Sequence, residues 1–83
     1  MATGTISSLK HTDVTVNIAN GSNFNGTSSG VDYSRIVGAF MIYTDAVYYQ
    51  PAVFSIDTSG TVNVKLVSNA TAARSYNVRV FYR

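Results

Sequence analysis

Two adjacent tyrosines, Tyr48 and Tyr49, stand in the stretch TDAVYYQP between Asp45 and Gln50. An exposed aromatic face stacks on the apolar face of a sugar ring, and a carboxylate and a carboxamide supply hydrogen bonds around it. Asp45, Tyr48, Tyr49 and Gln50 are therefore one candidate set for binding a receptor or glycan. A structural role is the alternative for the same tyrosines, one in the core and the other at a subunit contact. The polar stretch NGSNFNGTSSG at 20–30 offers a second candidate surface, with Asn23, Phe24, Asn25 and Thr27 on an irregular loop of the kind that carries recognition on rigid β scaffolds.

Bond-making chemistry has little to work with. All four acids are aspartates (Asp13, Asp32, Asp45, Asp57), scattered beside strand ends and turns, where aspartate caps and turns the chain. His11 is the one histidine and cysteine is absent, which leaves no zinc set and no spacing for a nucleophile, base and acid. No loop has the aspartate density of a calcium site. The expectation is a protein that is not an enzyme and needs no metal or cofactor. Asn20, Asn25 and Asn69 match the glycosylation pattern, as chance allows in a chain so rich in Asn, Ser and Thr.

The elements that must position these residues are strands. DVTVNIA at 13–19 alternates Val14, Val16 and Ile18 on one face; AVFSID at 52–57 alternates Ala52, Phe54 and Ile56; TVNVKLVS at 61–68 alternates Val62, Val64 and Leu66. Between the last two, TSG at 58–60 reads as a hairpin turn. A strand over about 34–44 and a final one from Arg74 to Arg83, with Tyr76, Val78, Val80 and Tyr82 on one face, complete the pattern. Residues 20–30 read as an irregular loop, and Pro51 closes a second loop. No window has a 3.6-residue period. About six antiparallel strands at this spacing predict one domain over 1–83, a small β-sandwich or jelly-roll-like barrel.

Composition agrees. With 46% hydrophobic and 12% charged residues the chain lies well inside the folded regime. No stretch approaches the roughly 18–20 apolar residues of a membrane helix, and MATGTISSLK has no basic region followed by an apolar run. The pI of about 9.2 comes from six cations against four acids, a shortage of acid rather than a basic patch, so no nucleic-acid partner is expected. Arg79, Phe81 and Arg83 alternate on one strand face as a small nucleic-acid barrel would have them, but without aromatics on adjacent strands.

The strand RIVGAFMIY is apolar on both faces, with Ile36, Gly38, Phe40 and Ile42 on one and Val37, Ala39, Met41 and Tyr43 on the other. A domain this short buries only about 60–65% of its unfolded surface, and small domains without disulfides recover stability by associating. Val37, Ala39, Met41 and Tyr43, with Phe81 from the last strand, are therefore the expected interface of a homo-oligomer. The alternative cover is the 20–30 loop, anchored by Phe24.

The order of these pieces resembles the C-terminal, distal domain of phage and prophage tail-fibre or tail-tip proteins. The residues that carry the likeness are VTVNI, the polar loop, YSRIVGAF, the hairpin FSIDTSGTVNVKLV, the Asn/Thr connection and the ending VRVFYR. It covers most of 11–83, departing in the absence of a tryptophan from the central strand. The resemblance implies a virion protein made in the bacterial cytoplasm, a homo-oligomer with a trimer favoured, that meets a bacterial cell-surface glycan or protein without chemistry. Residues 1–4 would be a start or a connection to an upstream fibre. A trimerisation cap that binds nothing is the competing expectation.

Overall fold

The computed structural model describes residues 9–43 and 50–83. Their strands are β1 (Lys10–Ile18), β2 (Phe24–Ser28), β3 (Ile36–Tyr43), β4 (Ala52–Ile56), β5 (Thr61–Leu66) and β6 (Arg74–Tyr82), with a single 3-10 turn at Tyr33–Arg35. Every pairing is antiparallel, and the strands form two three-stranded sheets ordered β1-β6-β3 and β2-β5-β4. The fold is all-β, as the alternation predicts.

Side chains from both sheets meet in one core. Val14, Val16 and Ile18 of β1, Tyr76, Val78 and Val80 of β6, and Val62, Val64 and Leu66 of β5 are buried together with Ala70. Valine dominates because a β-branched side chain has little rotamer freedom to lose and fits a pleated surface. Ala52, Phe54 and Ile56 of β4 are half-buried against this cluster. These inward sets are the ones the period-two pattern assigns.

Two local expectations fail. Residues 24–28 are strand β2, not loop, paired from Phe24 opposite Lys65 to Ser28 opposite Thr61. An edge strand needs only the backbone groups that β5 offers, and those are independent of side-chain propensity, so tertiary pairing overrides a poor strand composition. Asn20-Gly21 does mark a turn, with Gly21 at φ +85°, whereas Asn25-Gly26 lies inside the ladder. Phe24 consequently stands exposed on β2 of the second sheet and is not a cover for β3.

The second failure concerns β3. Ile36 faces Tyr82 but Gly38 faces Phe81, so Val37 is an extra residue, a bulge that reverses the facing of everything after it. Ile36, Ala39 and Met41 pack against the protomer's own core, while Phe40 is 47% exposed. Ala39 and Met41 are thus corrected from interface to half-buried residues packed against the core, and Gly38, Phe40 and Ile42 from the inner to the outer face. Val37 itself stays open at 48%. Periodicity could not reveal this, because both parities of β3 are apolar and only the ladder with β6 chooses between them.

The β4–β5 turn is held by Asp57. Its carboxylate accepts from the Ser59 hydroxyl and N–H, from the Thr61 N–H at 3.1 Å and from the Asn63 amide at 3.2 Å. These bonds, the Ser59 hydroxyl foremost, hold its pKa down at about 2 from an ordinary 3.8. Because the folded value is depressed, the stabilisation is whole above pH 3.8 and is lost as pH falls from there toward 2. Asp57→Asn should flatten that part of the acid stability curve, measured by urea midpoints between pH 5 and 2. A variant that retains the wild-type drop would remove Asp57 as its source.

Candidate binding face and open flank

The outward side chains of the β1-β6-β3 sheet line up in rungs. His11, Phe81 and Gly38 share one; Asp13, Arg79 and Phe40 the next; Thr15, Asn77 and Ile42 the third; Asn17 and Ser75 the fourth. Gly38 leaves the place opposite Phe81 open, and Phe40 reaches Phe81 diagonally, ring centroids 5.7 Å apart. His11 lies against the other side of Phe81 at 5.9 Å. Three rings from three strands thus form one row, the aromatic neighbours that the linear sequence did not show around Phe81.

The polar rungs are neutralised internally. Arg79 makes a bidentate pair with Asp13, Nε to Oδ1 at 2.8 Å and an Nη to Oδ2 at 3.0 Å. That hydrogen-bonded guanidinium lowers the Asp13 pKa below its usual range, and the carboxylate raises that of Arg79. The Thr15 hydroxyl donates to Asn77 Oδ1 at 2.7 Å, and the Ser75 hydroxyl to Asn17 Oδ1 at 2.7 Å. Arg83 donates to the Ser34 carbonyl at 3.4 Å, so it supports the 3-10 turn itself.

The sandwich is closed on one flank and open on the other. β1 packs on β2 and β5, and the Asn25 amide reaches across to the Asn17 carbonyl at 2.6 Å. Asn25, a candidate binding residue, is thus an inter-sheet clasp. On the opposite flank β3 and β4 diverge around a cleft of about 520 Å³ lined by Tyr33, Ile36, Val37, Ala39, Phe54 and Ile56. Among the described residues both bordering strands are sheet edges, each with a neighbour on one side only.

The remaining sequence-derived candidates divide sharply. Asp45, Tyr48 and Tyr49 lie outside the described residues, as does the side chain of Tyr43, whose backbone pairs with Tyr76. Gln50 is held by its own chain: its Oε1 accepts from the Thr71 N–H at 3.0 Å and from Arg74 Nε at 3.4 Å, and its Nε2 donates to the Asn69 carbonyl at 3.4 Å. Its backbone meets the buried Tyr76 hydroxyl, which donates to the Gln50 carbonyl at 2.8 Å and accepts from its N–H at 3.1 Å. A residue tied in this way fastens the loop before β4 rather than reaching for a ligand. The Asn23 carbonyl accepts from the Leu66 N–H, continuing the β2–β5 ladder. Among the described residues no group of three or more His, Cys, Asp or Glu could hold a metal ion, and no helix is long and apolar enough to cross a membrane.

No family model, curated protein or solved structure matches the chain.

Proposed function

We propose that this chain is a non-catalytic, self-associating β-sandwich of the kind that ends a phage or prophage tail fibre, a homotrimer in the virion that meets a bacterial cell-surface glycan or protein. The observation that carries the reading is the open flank: among the described residues the edges of β3 and β4 are unpaired and border a cleft where Ile36, Val37, Ala39, Phe54 and Ile56 mix with polar lining from Tyr33 and Ser34, on a domain without disulfides. Unpaired edges beside apolar surface invite another chain, and copies of the same chain are the partner always at hand. The self-contact thus moves from the Ala39 and Met41 side chains to the flank where Val37 protrudes.

Light scattering on the purified chain tests this. The wild type should run at three times the 8.9 kDa protomer, and Val37→Asp, which places a carboxylate on the rim of the cleft, should shift it toward one protomer mass with its circular dichroism preserved. A wild-type protein that stays at one protomer mass at high micromolar concentration would overturn the proposal. A trimerisation cap that binds nothing is favoured by the engagement of Gln50 within its own chain, and the binding measurement below separates it from the adhesin.

A further inference from the structure

We infer that the outer face of the β1-β6-β3 sheet is a binding platform for an uncharged polysaccharide, with the ring row Phe40, Phe81 and His11 as the stacking surface and the Asp13–Arg79 pair as its hydrogen-bonding rim. The inference rests on the adhesin reading above and names its ligand class and its site, which lies on a sheet face and not in the loops.

Three features select the occupant. Phe40 is 47% exposed, and its ring and that of Phe81 are tilted by 32° to one another, so together they offer a broad, gently stepped apolar surface rather than a pocket. Saccharide rings present flat C–H faces ringed by hydroxyls, which is the chemistry such a surface accepts. In the rung of Phe40 itself, and one rung or about 7 Å along the strands from Phe81 and His11, the Arg79 and Asp13 side chains remain 34% and 42% exposed. Their mutual bonds leave further N–H groups on Arg79 and lone pairs on both carboxylate oxygens of Asp13, partners for hydroxyls that both donate and accept.

Charge then excludes the other candidates. Arg79 is already matched by Asp13, which leaves Arg83, held to the Ser34 carbonyl at the end of the same strand face, as a single unmatched cation, too little for the counterion release that drives nucleic-acid binding. A second protein sheet laid across the same face would enclose the Asp13–Arg79 pair and strip its water, a cost that a hydrated sugar chain avoids. The open flank between β3 and β4 adjoins this face along β3, where Gly38 borders both, while Phe81, Arg79, His11 and Asp13 stand on β6 and β1, away from that edge.

The test is affinity electrophoresis followed by titration calorimetry, using dextran, galactomannan and hydroxyethyl cellulose as uncharged probes and heparin and single-stranded oligodeoxythymidine as anionic ones. At least one uncharged polymer should retard the protein, and Phe40→Ala and Phe81→Ala should each weaken it about tenfold, as loss of one aromatic contact predicts. Phe24→Ala, on the opposite sheet, should change nothing. If Phe81→Ala fails to fold, the half-exposed Phe40 carries the comparison, with Phe40→Tyr expected to retain binding. The inference is overturned if no uncharged polymer retards the protein, if Phe40→Ala binds as the wild type does, if only the anionic probes bind, or if Phe40→Ala dissociates the oligomer. Light scattering on the same samples keeps the two proposals apart: a trimer that ignores sugars refutes this inference alone, and a monomer that binds them refutes the assembly.

Discussion

Tyr76→Ala should leave the domain largely unfolded at ordinary temperature, the largest effect expected of any single substitution here. Tyr76 is the bulkiest of the fully buried side chains, in the middle strand of its sheet and facing the core valines. Truncating a buried aromatic costs about 3–5 kcal/mol, against a total of about 5–15 kcal/mol for a typical domain, of which a chain this short has the lower end. The hydroxyl adds a second loss. It both donates to and accepts from the backbone of Gln50, the residue whose side chain gathers Asn69, Thr71 and Arg74. Tyr76→Phe isolates that part: with the ring kept and the two bonds gone, about 1–3 kcal/mol should disappear. Urea denaturation followed by circular dichroism measures both. A Tyr76→Ala protein within about 1 kcal/mol of the wild type would mean that the ring is not a core element.

Gly60→Ala should be the next most damaging change, for a reason unrelated to burial of apolar surface. Gly60 ends the β4–β5 turn at φ +82°, where an L side chain costs about 1–2 kcal/mol. An added methyl group would also run into the backbone carbonyl oxygen of Val31, which no rotamer change can move. Ser29 donates its N–H to the Gly60 carbonyl at 3.0 Å, so the turn and the segment leading into β3 would be displaced together. Gly21 is the internal control, at φ +85° but with open space where its methyl group would go. Gly21→Ala should show the conformational cost alone, and Gly60→Ala clearly more. Equal urea midpoints for the two variants would remove the Val31 contact from the explanation.

The inward faces of β1, β4, β5 and β6 were legible in the sequence because in each the apolar residues fall mainly on one parity, with Val53 and Phe81 the exceptions, so that burying the other would strand polar groups. The turn at 58–60 was legible through Thr-Ser-Gly, whereas Asp57, whose carboxylate holds it, read as the end of the strand. β2 was not, since an edge strand can be recruited by the unpaired backbone of its neighbour regardless of its own side chains. The sequence-derived binding set fared unevenly for a related reason. Gln50 and Asn25 are polar residues in chain segments that read as loops, and nothing local says whether such a group faces solvent or, as here, a carbonyl of its own chain.

What the linear pattern determined by itself was an all-β chain with a valine-rich core, because alternation and residue type are local properties. What only the tertiary structure decided was the sense of β3 and everything that follows from it. A strand greasy on both sides carries no instruction about which side turns inward. The ladder with β6, offset by one residue at Val37, sent Ala39 and Met41 against the core and set Phe40 beside Phe81 and His11. That row of rings joins residues from the beginning, middle and end of the chain, and only cross-strand register can bring them together.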